Sequence, residues 1–119
     1  MPEKFPFGML SQFTGTETWY RHPLVKGILY TDGAKFVAEK GEAYWLLDEI
    51  ALAQISNKTV KNEEFQVWKL SVTDGRGVLS CENGDGKRVF SKKIEFTDFP
   101  EPGVELWFEN KVIYLPSEH

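Results

Sequence analysis

Four consecutive residues, Trp19-Tyr20-Arg21-His22, bring two aromatic rings, a guanidinium and an imidazole together. Such a set can stack a planar ligand, hold an anion and move a proton. In an extended strand successive side chains alternate, so Trp19 and Arg21 face one way while Tyr20 and His22 face the other. Without a bulge the four do not line one pocket, and the functional reading divides into two pairs. The structural alternative is that one aromatic anchors the strand in the core, and Arg21 or His22 bonds to a nearby carboxylate or carbonyl.

A second candidate group is Tyr44, Trp45, Asp48 and Glu49, inside an Ala- and Leu-rich stretch. Adjacent acids on a helix point about 100° apart, so Asp48 and Glu49 do not jointly grip a metal without ligands from elsewhere, and a solvated helical face is the simpler reading. Tyr44 precedes Asp48 by four residues and Trp45 precedes Glu49 by four, which sets an aromatic beside each acid. Either acid can receive Arg21 or His22 across the fold. The other motifs have plainer explanations. Thr31-Asp32-Gly33 reads as a helix cap before it reads as a catalytic carboxylate on a turn. Asn83-Gly84-Asp85-Gly86 lacks the spaced oxygens and distal Glu of a calcium loop and reads as a hairpin turn. Cys81 carries no mark of an activated thiol and reads as a small buried hydrophobe. With no nucleotide-binding glycine loop, zincin motif or nucleophile elbow, no catalytic residue, metal ligand or cofactor is expected.

The elements that position these residues follow from periodicity. Residues 1–7, with Pro2 and Pro6, read as a flexible arm that orders only by packing on something, and Met9–Phe13 as a single helical turn presenting Leu10 and Phe13 on one side. Thr18–Arg21 and Lys26–Tyr30, separated by His22-Pro23, predict a short hairpin or a strand with a corner. A first helix of about two turns follows a cap at Thr31 or Asp32. Glu42–Gln54 is the clearest helix, with Ala43, Leu46, Leu47, Ile50 and Ala53 as its apolar stripe. Ser56–Glu64 is polar and predicts a loop or frayed helix end. Phe65–Thr73, Gly77–Cys81, Arg88–Phe96, Val104–Phe108 and Val112–Leu115 are strand-like runs separated by turns at Asp74-Gly75, Asn83–Gly86 and Glu109–Lys111. They predict a meander with Trp68, Leu70 and Val72 on one buried side, joined there by Phe90, Ile94 and Phe96. The fold class is α+β, an antiparallel sheet of five or more strands with the N-terminal helices on one face.

The 119 residues suit a single domain over 1–119, and 41% hydrophobic content is too apolar for a disordered chain. The lone cysteine cannot form an internal disulfide, and neither a signal peptide nor a membrane-spanning run is visible, so the cytoplasm is the expected location. Fourteen basic against eighteen acidic residues give a net charge of −4, which supplies no broad positive field, so nucleic acid is not the expected partner. Binding nucleic acid would need Lys58, Lys61, Lys69, Lys87, Arg88, Lys92 and Lys93 to gather on one face with exposed aromatics.

The stretches Leu10–Leu24, Tyr30–Lys35, Tyr44–Ala51, Thr97–Pro100 and Val112–Glu118 resemble a family of short uncharacterised bacterial proteins, many of them carried on phages, plasmids and other mobile elements. The resemblance covers nearly the whole chain. It implies a mobile-element setting and a bacterial cytoplasm, and it transfers no catalytic or binding residue. Two functions then compete. One is a non-catalytic interaction or accessory protein, such as an inhibitor of a host or element protein, anchored by exposed aromatics or Arg. The other is a small enzyme or ligand-binding domain with a small-molecule pocket between Trp19–His22 and Tyr44–Glu49, His22 acting as acid or base. A homodimer through a sheet edge stays open.

Overall fold

A computed structural model of the protein describes residues 5–14 and 18–119. After a 3-10 turn at Phe7–Gln12 come strands β1 (Trp19–Arg21) and β2 (Leu29–Thr31), then helices α1 (Asp32–Lys40), α2 (Tyr44–Ser56) and α3 (Lys58–Lys61). Strands β3 (Phe65–Thr73), β4 (Arg76–Asn83), β5 (Arg88–Ile94), β6 (Gly103–Glu109) and β7 (Val112–Tyr114) follow, and a 3-10 turn at Pro116–Glu118 ends the chain. The fold is α+β, with a mostly antiparallel sheet and the longer helices early in the chain.

Local chemistry explains the boundaries. The Thr31 hydroxyl accepts the Ala34 N–H at 3.2 Å, capping α1 as its position predicts. Gly41 closes that helix where a Cβ would run into the Phe99 ring. Glu42 adopts a φ of 51°, outside the helical region, so α2 starts at Tyr44 and not at Glu42. The apolar stripe of α2 is buried as expected, including Leu46, Leu47 and Ile50. The polar stretch after it is not simply a loop: Asn57 caps α3 through the Val60 N–H at 3.1 Å, and Val60 is fully buried.

The seven strands among the described residues lie in the order β1-β2-β7-β6-β3-β4-β5. Strands β3, β4 and β5 form the expected meander, with Asp74 and Gly75 at φ 52° and 73° in the first turn. The chain then doubles back, so β6 pairs with the other side of β3 and the five-strand meander is interrupted. Asn110 and Lys111, at φ 54° and 64°, make the tight turn that lays β7 against β6. Strand β7 pairs with β2 in parallel, so the sheet is antiparallel in most but not all of its pairings.

One face of the sheet is covered by the helices. Trp68, Leu70 and Val72 are buried there with Leu79, Cys81, Leu106 and Ile113. Fully burying a large apolar side chain of this kind contributes about 1.5–3 kcal/mol. Phe96 is a correction: β5 ends at Ile94, and Phe96 is 74% exposed beyond it, because alternation constrains a side chain only while the ladder continues. The arm is tied down at its described end, where Phe5 is buried with its ring 5.0 Å from that of Phe99. Residues 1–4, and Gly15, where the first turn was expected to stop, lie outside the described residues.

Two polar devices hold the layers in register. Gln66, fully buried on β3, exchanges bonds with Gln54 of α2 at 2.8 and 3.0 Å and accepts the Trp68 indole N–H at 2.9 Å. Its amide also donates to the carbonyls of Val60 and Glu63 at 2.8 and 3.0 Å. At the other end, Glu118 accepts from the Thr31 hydroxyl at 2.7 Å and from the N–H groups of Leu115 and Gly33 at 2.8 and 3.2 Å. The carboxylate therefore sits at the positive end of α1.

Candidate functional site

Strand β1 is extended, and its side chains divide as alternation requires: Trp19 and Arg21 are exposed, Tyr20 is half-buried and His22 is buried. His22 Nε2 lies 2.8 Å from Asp48 Oδ1, so the β1–β2 connection is fastened to α2. Its Nδ1 takes the backbone N–H groups of Leu24 and Val25, both at 3.1 Å. Backbone N–H groups only donate, so Nδ1 accepts and Nε2 carries the proton toward Asp48. The acid–base role considered for His22 needed its second nitrogen to face a cavity, and that nitrogen is occupied by the backbone. The bond from His22 to a helical carboxylate is the structural alternative realised.

Glu49, next to Asp48, bonds Lys92 of β5 at 2.7 Å. Strands β1 and β5 are the two edges of the sheet, so neighbouring acids on α2 strap the helix toward opposite edges. The divergence of adjacent helical side chains is what makes this possible. Among the described residues, no group of three or more His, Cys, Asp or Glu is placed to hold a metal ion.

Tyr20 and Tyr44 are linked through charged neighbours. The Tyr20 hydroxyl donates to Asp32 at 2.8 Å, its ring stacks on Tyr30 with centroids 5.5 Å apart, and Lys35 Nζ lies 4.4 Å from its centroid. Lys35 pairs with Glu39 at 3.6 Å, and Glu39 accepts the Tyr44 hydroxyl at 3.2 Å. The Asp32 bond raises the Tyr20 pKa above its ordinary value, and the neighbouring Tyr20 raises that of Lys35. Burial, followed by the Glu39 bond, pushes Tyr44 up to about 12. These shifts move both tyrosines away from neutrality, opposite to what acid–base catalysis near pH 7 requires. Trp45 is half-buried and packs on the core.

The other face of the sheet carries the feature that sequence reasoning missed. Trp19 of β1 pairs with Thr31, Tyr114 of β7 with Trp107 of β6, and Trp107 with Val67 of β3. Extending the β2–β7 register by one residue sets Thr31 beside Tyr114, so one row crosses five strands on the face away from the helices. Phe65 and His119 flank it, with ring centroids 5.2 and 5.4 Å from Trp107. At the β1 end Trp19 is 59% exposed and lines a cleft of about 450 Å³ with Thr31, Val112, Tyr114, Glu109 and His119. The Tyr114 hydroxyl donates to Glu109 at 3.2 Å, and its pKa is raised, first by burial and then by that carboxylate.

A model described as a family of unknown function, DUF6876, matches residues 8–119. The chain belongs to this family. No curated protein and no solved structure matches it. Membership of DUF6876 agrees with the resemblance carried by the five quoted stretches, and two of those stretches meet where Thr31 and Gly33 contact Glu118.

Of the eight residues singled out from the sequence of this DUF6876 member, Tyr20 and Tyr44 are joined through Lys35 and Glu39, and His22 and Asp48 bond directly. Glu49 points toward β5, and Trp19 and Arg21 lie on the opposite face. The segments that were to enclose a pocket do converge, but they meet through direct bonds, and of the eight only Trp19 lines any of three clefts of about 450–590 Å³ among the described residues. Alternation placed Trp19 opposite Tyr20; finding its companions needed the register of β6 and β7. The basic residues are spread over α3, β3, the β4–β5 turn and β5, with Lys69 bonded to Glu82 at 3.2 Å and Lys92 to Glu49.

Proposed function

We propose that this protein is a small non-catalytic interaction or accessory protein that docks a partner protein on the open sheet face, with Trp19 as its anchor. The observation that carries this reading is Trp19 itself, a large aromatic side chain 59% exposed on the edge strand β1, on the face away from the helices. Trp is enriched among the residues that dominate binding energy at protein interfaces. The competing pocket reading is weakened by the engagement of both His22 nitrogens. The mobile-element setting, the bacterial cytoplasm and inhibition of a host or element protein rest on the resemblance of the quoted stretches.

The test is affinity capture from bacterial lysate with the wild type, Trp19→Ala and Phe96→Ser. Phe96 is the control because it is 74% exposed beyond β5, at the far edge. A protein held by the wild type and Phe96→Ser but lost by Trp19→Ala supports docking at the open face. Retention by Trp19→Ala rejects it.

A further inference from the structure

The cleft beside Trp19 has a composition that names a ligand chemistry. Its walls include the rings of Trp19 and Tyr114 and the carboxylates of Glu109 and Glu118, and none of the described residues lining it is Lys or Arg. Its permanent charge is thus negative, beside aromatic faces. Glu118 is engaged with Thr31, Gly33 and Leu115 and contributes through its charge. Glu109 is differently placed. Its side chain is 40% exposed, and the Tyr114 hydroxyl at 3.2 Å does not exhaust the acceptor capacity of a carboxylate. His119 Nε2 is 3.9 Å from the same oxygen, too long for a hydrogen bond but an ion-pair contact when the imidazole is protonated.

We propose that this cleft receives the cationic side chain of an Arg or Lys from a basic segment of the partner protein, the cation lying on the Trp19 ring and bonding to Glu109. This rests on the reading that a partner docks on the open face, and it specifies what that partner must present. A guanidinium suits both elements, since it stacks on an aromatic face and forms charge-assisted bonds with a carboxylate. Strand pairing places both contributors on the same face, Trp19 on β1 and Glu109 on β6, with Thr31 of β2 and Val112 and Tyr114 of β7 lining the cleft between them.

The experiment titrates acetyl-tetra-arginine amide into the whole protein and follows the four Trp indole N–H signals by NMR, with acetyl-tetra-citrulline amide as an uncharged control of the same shape. The expected result is a shift of the Trp19 signal with the arginine peptide alone, while the core Trp68 signal stays still. Trp19→Ala and Glu109→Gln each weaken binding roughly two- to fivefold, the range of an exposed cation–π contact, and raising the salt weakens it further. Trp107 and Trp68 signals unchanged by each substitution establish that the variants stay folded. Equal binding of the citrulline peptide, or no response at Trp19, overturns the proposal. So does a Trp19 signal that moves with protein concentration alone, since a second copy would then be the occupant. Partner capture that depends on Trp19 without any tetra-arginine binding leaves the docking reading standing and removes the cation. Partner capture that survives Trp19→Ala removes the docking reading and this proposal with it.

Discussion

Replacing Gln66 by Leu keeps similar bulk and removes every hydrogen bond the amide makes. Four partners are affected: the Trp68 indole N–H, the Gln54 side chain, and the carbonyls of Val60 and Glu63. They do not suffer equally. The Val60 carbonyl keeps the Glu63 N–H at 3.0 Å, Glu63 is half-buried within reach of water, and the Gln54 amide nitrogen keeps the Ile50 carbonyl at 3.0 Å. Two groups are left orphaned in the interior, the indole N–H of Trp68, which is 1% exposed, and the amide oxygen of Gln54, which is 9% exposed. At about 1–3 kcal/mol for each unsatisfied buried group the two come to about 2–6 kcal/mol, and after the gain from burying an apolar side chain Gln66→Leu should cost about 1–4 kcal/mol. Trp68→Phe removes one donor and leaves Gln66 bonded to Gln54, so it should cost less. Urea denaturation with an unchanged m-value measures both. A loss below about 1 kcal/mol for Gln66→Leu would refute the reasoning, because a fully connected network cannot be cut so cheaply.

Three other outcomes follow from the same structure. Trp68→Ala should cost about 3–5 kcal/mol in chemical denaturation, and a loss under about 1 kcal/mol would reverse the assignment of the buried face of β3. His22→Ala should destabilise by about 1–3 kcal/mol, with Asp48→Ala adding less in its presence than alone; strict additivity in a double-mutant cycle would deny the His22–Asp48 bond. Burial, then Glu63 and Glu82, pushes the Cys81 thiol up to about 12, so Ellman's reagent at pH 8 should label it only after denaturation. The raised values of Cys81 and Tyr44 mean that from about pH 9 upward the unfolded chain releases protons the folded chain retains. Stability should therefore fall as pH rises from about 9 to 12, and a flat profile would contradict that.

Much of the fold was legible in the sequence because local rules govern it. The Thr31 cap, the apolar stripe of α2, the turn at Asp74-Gly75 and the inward side of Trp68, Leu70 and Val72 all depend on neighbours within a few positions. The parallel pairing of β2 with β7 did not follow, since it joins residues far apart in the chain through a register that no local pattern encodes. Gln66 shares the parity of Trp68 and so was readable as inward-facing, but its partners Gln54 and Val60 come from other elements. Part of the candidate site was equally readable: the split of Trp19 from Tyr20 is alternation, and Asp48 meeting His22 was one of the pairings the sequence left open. The row was not, because Tyr114 and Trp107 come to share a face and a line with Trp19 only through the pairing of β2 with β7 and of β7 with β6. Phe96 misled because the strand stops two residues before it.

The central claim, that a partner docks on the open face at Trp19, is tested most directly by a photo-crosslinking amino acid placed at position 19 and, separately, at position 96, with irradiation in bacterial lysate. The account predicts a discrete covalent adduct with another protein from position 19 and none from position 96, its yield reduced by Glu109→Gln in the same chain. The same adduct from both positions, or from position 96 alone, would contradict it.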